Sequence, residues 1–546
     1  MFVAMLMIFS LIGVRLVDLQ AHDGQHYQQL GLDQRVHSVT LAAERGSIFD
    51  RNGNDLALSV SRSSIWADPR MIDDAPGYAA RLAPLVGVDA ATLEGRFVQK
   101  NLGFVYIARQ VEPEVERQVR ALDLPGVGFV PESKRYYPAS PLAAPLLGWV
   151  GIDNNGLGGL EVGAESVLAG KAGHMRVEQD ARGRNLPDGE RRVRPAERGS
   201  DLVLTIDESL QFEAERVLTE EVDLARAKGG TVVIADVRTG DILAMASVDG
   251  AITDVPAHPA YAGSNNRPLT DVFEPGSTAK VVTIAAALEA GLISPSTVLE
   301  VPSRIEVDGE EYADVKSHPT AMTVADIVRE SSNVGTILIA RTLGEERFDA
   351  ALRSFGFGSS TGLGFPGEAS GILLPLDEYN ATSLASMPIG SGIAVTAMQM
   401  LDVYLTIAND GVARTPRLIA AAIDADGERH EAKLGDTRRV VSVETARAMQ
   451  VLLEAVVAGG TGTKAQIVGY KVAGKTGTAR KPPYDTPPYK YVASFAGFAP
   501  ADSPHLAAIV VLDEPSNNYS GGQVAAPVFA RIMQHALAVE HVPASA

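Results

Sequence analysis

Ser277 and Lys280, three residues apart in Glu274-Pro275-Gly276-Ser277-Thr278-Ala279-Lys280, are residue types that can act as a nucleophile and its base. A serine hydroxyl is a weak nucleophile at neutral pH. An amine within hydrogen-bond reach takes its proton when burial or a neighbouring cation lowers the amine's pKa. Pro275 and Gly276 break regular structure, and the apolar run from Val281 to Leu288 favours helix. Ser277 is therefore predicted at or just before a helix N-terminus, where unpaired N–H groups and the positive end of the dipole favour a developing anion. Lys280 follows one turn on, on the same face. Alone, S-x-x-K arises about once by chance in a chain of this length. The rest of the sequence must carry the reading.

Two further sets follow in order. Ser331-Ser332-Asn333 lies in a stretch predicted helical over residues 325–343, and Lys475-Thr476-Gly477-Thr478 lies in a strand context. Separately, the first reads as a cap or turn and the second as an edge strand with a bulge. Together with Ser277 and Lys280 they resemble the S-x-x-K, S-x-N and K-T-G set of penicillin-binding proteins and serine β-lactamases. Several more segments resemble class B penicillin-binding proteins: the run Arg45-Gly46-Ser47-Ile48-Phe49-Asp50-Arg51-Asn52-Gly53, Gly159-Leu160-Glu161, Asp180-Ala181-Arg182-Gly183-Arg184, Gly390-Ser391-Gly392 and Gly460-Thr461-Gly462. Ser331-Ser332-Asn333-Val334-Gly335-Thr336 looks more like the division-type (FtsI-like) and sporulation-type peptidoglycan D,D-transpeptidases than the elongation type.

This resemblance implies roles residue by residue. Ser277 attacks the carbonyl between the two terminal D-alanines of a donor stem peptide, giving an acyl-enzyme, and Lys280 accepts its proton. Lys475 helps keep Lys280 neutral and adds positive potential for the donor carboxylate. Ser331 relays a proton to the leaving amine, and Asn333 hydrogen-bonds Lys280 and the substrate amide. Thr476 and Thr478 offer hydroxyls to the terminal carboxylate, and their strand pairs with the extended peptide. Backbone N–H groups of Ser277 and Thr478 form the oxyanion hole. Gly477 leaves room for the substrate backbone. No metal or organic cofactor is implied. Water or a stem-peptide amine could deacylate the enzyme. No base for water is identifiable beside S-x-x-K, which favours transpeptidation and sensitivity to β-lactams.

The elements that must position these residues follow from the whole chain. Its 546 residues allow two to four domains, and 46% apolar with 21% charged residues is globular composition. A net charge of −19 without a long basic run argues against nucleic acid as partner, and the lack of cysteine excludes disulfides, thiolate metal sites and a cysteine nucleophile. Residues 1–17 are nearly all apolar and read as a transmembrane signal anchor of a bacterial cytoplasmic membrane protein, its catalytic domain extracytoplasmic. Residues 18–195 read as an α+β pedestal of the dimerisation type, with a helix over 23–32, a hairpin at Asn52-Gly53 and a head near 60–130. Residues 196–540 read as the transpeptidase domain of a multidomain α/β protein: an antiparallel sheet made of early and late strands, helices on both faces, and an all-helical middle. The Pro-rich segment 481–489 reads as a loop between late strands. The resemblance further implies a polymerising FtsW-type glycosyltransferase and other division proteins as partners. Open alternatives are an elongation-type transpeptidase, a D,D-carboxypeptidase, a penicillin sensor and an inactive division scaffold. A sensor predicts several membrane helices, and a scaffold predicts damaged motifs; the sequence contains neither.

Overall fold

Central strands buried on both faces are apolar throughout. Two stretches here have that character: β1 (Gly229–Asp236) and β5 (Leu506–Asp513), each buried along nearly its whole length. With β2 (Ile242–Asp249), β3 (Ala473–Arg480) and β4 (Tyr491–Ala499) they form a five-stranded antiparallel sheet in the order β2-β1-β5-β4-β3. The computed structural model describes residues 2–17, 36–41, 43–178, 191–250 and 265–545. It divides the chain into two compact units. The sheet belongs to the unit made of Ser47–Leu58, Arg135–Glu165 and Asp201–Ala546.

Helices α1 (Glu208–Ala225) and α7 (Gly521–Val539) cover one face of the sheet. Leu210, Val217 and Leu218 from α1 and Val528, Phe529 and Ile532 from α7 share a core with Val232, Ile234 and Val510. On the other side α5 (Ala397–Ala408) packs on β4 and β5, and α6 (Val443–Gly459) packs on the edge strand β3. Helix α2 (Lys280–Glu289) contacts α4 (Asn333–Leu343) and α6, while α3 (Val324–Glu330) contacts α6. The sheet edge and this helical layer thus bring residues near 277, 331 and 475 into one neighbourhood.

Two expectations are corrected. The middle of this unit is not all helical: strands Arg304–Val307 and Glu310–Ala313 form a hairpin, and Val298–Glu300 pairs with Ala321–Thr323. Asp308 and Gly309 both have positive φ, the two-residue turn such a hairpin requires. The helix predicted over 325–343 is broken in two. Ser331 ends α3 in the left-handed conformation at φ 62°, and Ser332 caps α4 by accepting from the Gly335 N–H at 2.9 Å. The apolar periodicity runs on across the break and hides it. At the predicted Asn52-Gly53 hairpin, Ile48 pairs with Ala57 and Phe49 with Asp55, and the Asp50 carboxylate accepts from the N–H groups of Asn52 and Asn54. Segment 481–489 joins β3 to β4 without strand structure.

The other unit comprises Met1–Gly46, Ser59–Lys134 and Ser166–Ser200. Helices Ala75–Val86, Ala90–Phe97 and Pro113–Ala121 bury Leu82, Leu93, Phe97 and Val119 against Ile65, Ile107 and Val111. A three-stranded sheet joins Val36–Leu41, Gly173–Glu178 and Arg191–Arg194. The helix expected at 23–32 and the segment Asp180 to Arg184 lie outside the described residues. The N-terminal helix Phe2–Val17 is present and fully exposed. Its 16 residues extend about 24 Å against a hydrocarbon core of about 30 Å. Among the described residues no helix is long and apolar enough to cross a membrane.

Arg135 and Glu161, from the Gly159-Leu160-Glu161 segment, form an ion pair at 2.7 Å with side chains 1% and 0% exposed. The Tyr137 hydroxyl donates to the same carboxylate oxygen at 3.2 Å. Removing one partner of a buried ion pair is strongly destabilising. Glu161→Gln should therefore destabilise the larger unit by about 3–5 kcal/mol, read as a lower midpoint in thermal or denaturant unfolding.

Candidate active site

The turn carrying Ser277 is built from close backbone approach. Residues Gly276–Thr278 form a single 3-10 turn, and α2 begins at Lys280. Gly276 has φ +55° and donates its N–H to the Gly390 carbonyl at 3.0 Å. A Cβ on Gly390 would lie 2.1 Å from the Gly276 oxygen, so the contact requires glycine there. Thr278 closes the turn by donating to the Pro275 carbonyl at 2.7 Å, and the buried Tyr404 hydroxyl donates to the Thr278 carbonyl at 3.0 Å. Ser277 itself is half-buried, and its hydroxyl makes no hydrogen bond among the described residues.

Lys280 and Lys475 are both buried, at 4% and 1% exposure. Val281, Ile284, Val328 and Met449 line the small space beside the two amines. Lys280 Nζ donates to the Ser331 carbonyl and to Asn333 Oδ1, each at 2.7 Å, and lies 3.3 Å from Ser331 Oγ. Lys475 Nζ donates to Ser331 Oγ at 2.8 Å. Among the described residues no carboxylate pairs with either amine. Burial, and after it the charge of Lys475, hold the Lys280 amine well below the usual lysine range, with Asp314 opposing them. Burial brings Lys475 down to about 7. A neutral Lys280 has two N–H groups, matching its two close acceptors, and a lone pair left over for a hydroxyl proton.

The Ser331–Asn333 segment is fixed by the hairpin that precedes it. Asn333 Nδ2 donates to the Ala313 carbonyl at 3.0 Å, which turns Oδ1 towards Lys280. Asp314 accepts from the N–H groups of Asn333 and Val334, the latter at 3.1 Å, and from Ser332 Oγ at 2.6 Å. Sequence reasoning passed over Asp314. The Asp308-Gly309 turn signal, which places residue 314 just beyond a hairpin, could have found it.

On β3, Lys475 and Thr476 are buried and Thr478 is exposed. Thr476 Oγ1 lies 2.8 Å from Thr461 Oγ1, and Thr478 Oγ1 accepts from the Gly521 N–H at 3.0 Å. Gly477 has an internal reason to be glycine: a Cβ there would lie 2.3 Å from Ser494 Oγ and 2.9 Å from the Pro275 carbonyl. The edge strand can therefore press against the turn that carries Ser277. Glu274 links further segments, its Oε1 accepting from the Gly392 N–H and the Tyr484 hydroxyl, both at 2.9 Å. A cavity of about 680 Å³ is lined by Phe273, Glu274, Gly392, Arg480 and Tyr484, but by none of Ser277, Lys280, Ser331, Asn333 and Lys475. The site thus joins a serine at a helix start, two buried amines, a hydroxyl between them and an edge strand. Such a set can form and break an ester with an acyl group.

Residues 230–534 match the penicillin-binding protein transpeptidase domain, and residues 40–204 match the penicillin-binding protein dimerisation domain. The chain is 34% identical to penicillin-binding protein PbpB of Mycolicibacterium smegmatis, over 99% of this chain and 90% of the relative. It is 35% identical to peptidoglycan D,D-transpeptidase FtsI of Escherichia coli, over 91% of this chain and 84% of the relative. Penicillin-binding protein 3 of Mycobacterium tuberculosis, solved in complex with aztreonam, superposes with a TM-score of 0.71 at 32% identity, covering 93% of this chain and 98% of that one. With the two domains in this order and these relatives, the chain belongs to the division-type class B penicillin-binding proteins.

Proposed function

We propose that the protein cross-links peptidoglycan stem peptides through an acyl-enzyme on Ser277, in septal wall synthesis during cell division. The observation that carries the reading is a pair of buried lysines, without a carboxylate partner among the described residues, meeting at the Ser331 hydroxyl beside the Ser277 turn. Lys280 takes the Ser277 proton as Oγ attacks the penultimate D-alanine carbonyl. The oxyanion is held by the N–H groups of Ser277 and Thr478. Ser331, between the amines, passes the proton to the departing D-alanine, while Asn333 holds Lys280 and the donor amide. Lys475, Thr476 and Thr478 receive the donor carboxylate, and Gly477 keeps their strand close to the turn. The side-chain amine of a second stem peptide then takes the acyl group. The name of FtsI and the aztreonam complex of the neighbour support the reaction and its trapping by β-lactams.

The domain plan belongs to the same proposal. Residues 18–195 act as a noncatalytic pedestal with a head near 60–130, and 196–540 as the transpeptidase domain. The exposed apolar surface of helix Phe2–Val17 supports attachment to the cytoplasmic membrane through residues 1–17, with the catalytic domain outside. An FtsW-type glycosyltransferase supplies the glycan strands, and other division proteins place the enzyme at the septum.

Four outcomes test this. Labelled penicillin should attach covalently to the full chain and fail to attach to Ser277→Ala; equal labelling of the variant removes the assignment. Given donor peptide and an amine acceptor, the protein should yield a cross-linked dimer, whereas release of D-alanine alone marks a carboxypeptidase. Acylation requires Lys280 to be unprotonated, so its rate should fall as pH drops, by about tenfold per unit below the controlling pKa. Lys475→Ala removes the cation that depresses Lys280, so its acid limb should move to higher pH. Stopped-flow acylation rates across pH 5–9 would show the shift.

A further inference from the structure

Among the described residues, the carboxylate that anchors the Ser331–Asn333 segment lies outside the three motifs. The four acceptor positions of the Asp314 carboxylate are all taken. Oδ1 receives the N–H groups of Asn333 and Val334, and Oδ2 receives Ser332 Oγ at 2.6 Å and His318 Nε2 at 2.7 Å. The side chains of Asp314 and His318 are 3% and 7% exposed. His318 Nδ1 faces the Pro319 carbonyl at 2.8 Å. A carbonyl oxygen only accepts, so this nitrogen carries a proton, while the other nitrogen faces a carboxylate. Both ring positions are therefore donors, as in an imidazolium.

Resting on the acylation reading above, we propose that Asp314 and His318 are paired positioning residues for this reaction. Asp314 holds the N-terminal turn of α4, and with it Ser331 and Asn333, against Lys280, while the His318 cation cancels the charge that Asp314 would otherwise impose on that amine.

The electrostatics support this from both sides. Asp314 is the group that opposes the lowering of the Lys280 pKa, so its charge, left uncompensated, pulls that pKa upward. The hydrogen bond to the Pro319 carbonyl and, against the effect of burial, the Asp314 carboxylate raise the His318 pKa above the ordinary histidine value, which favours the charged ring. Other charged groups border the ring. Lys316, on the same segment, and Asp326, Arg329 and Glu330, on α3, line a cavity of about 360 Å³ beside it. Arg329 is already paired with Asp326 at 2.8 Å and with Glu330 at 3.1 Å. Facing Lys280, the groups that act on its charge are Lys475 and Asp314.

A purely structural anchor and a charge-balanced one differ in how acylation depends on pH. His318→Gln keeps a donor but removes the cation, so the acid limb of the acylation profile should move to higher pH. Asp314→Asn keeps the shape but removes the anion, so its limb should move to lower pH while the maximal rate falls about tenfold or more through the loosened Asn333. Each shift should be on the order of half a unit. Opposite displacements, with thermal midpoints showing both variants folded, support the proposal. Unmoved limbs, or limbs displaced in the same direction, overturn it. A second measurement does not depend on acylation. In wild-type protein with 15N-labelled histidine, the His318 ring should carry protons on both nitrogens at pH 7, and Asp314→Asn should lower its pKa. A neutral ring at pH 7 in the wild type overturns the proposal. Absence of penicillin labelling in the wild type would instead count against the transpeptidase reading, so the two failures are distinct.

Discussion

Two ammonium-bearing side chains buried within reach of one hydroxyl form an arrangement that folding would ordinarily reject. Desolvation of a charged amine is costly, and a second amine nearby adds repulsion rather than relief. The structure eases the conflict by lowering both pKa values, Lys280 well below its ordinary range and Lys475 to about 7. Everything else in the site follows from making that state usable. Carbonyl and amide oxygens meet the N–H groups of Lys280, so that its lone pair is not wasted on protein donors. The apolar side chains of Val281, Ile284, Val328 and Met449 exclude solvent from behind.

The fold serves this constraint through contacts that no single motif contains. β3 is an edge strand of the sheet, yet Lys475 is buried because α6 packs over it. The turn bearing Ser277 is clamped from three directions: by Gly390 through the backbone, by Tyr404 through its hydroxyl, and by the bare Cα of Gly477 from the sheet. Each contact joins segments far apart in sequence. Ser277 is thus set on rigid elements, and the positions of the two amines relative to it are inherited from helix and sheet packing.

The residues proposed to react were legible in the sequence because they are chemically conspicuous and occur in a fixed order, and the long strands because their apolar runs admit no other use. The hairpin at Asn52-Gly53 and the loop at 481–489 were readable from turn chemistry and prolines. Less accessible was anything decided by backbone geometry inside a periodic pattern. The apolar spacing through Ile327, Val328, Val334 and Ile337 is continuous, so it concealed the break at Ser331. Gly477 read as clearance for a ligand, and the packing of its Cα against Ser494 and Pro275 is a further reason for glycine that the sequence did not disclose. Asp314 went unnoticed because a carboxylate gathering backbone N–H groups from another element has no local signature. Its partners are 18 to 20 residues away.

The broken helix also bears on which residue could ever occupy position 331. Its backbone is left-handed, flanked by the end of α3 and the cap of α4. Threonine offers the same hydroxyl chemistry, but branching at Cβ makes a positive φ much harder to adopt. Glycine would suit the backbone and lose the oxygen. Among the two hydroxyl-bearing aliphatic residues, the backbone therefore favours serine before reactivity is considered.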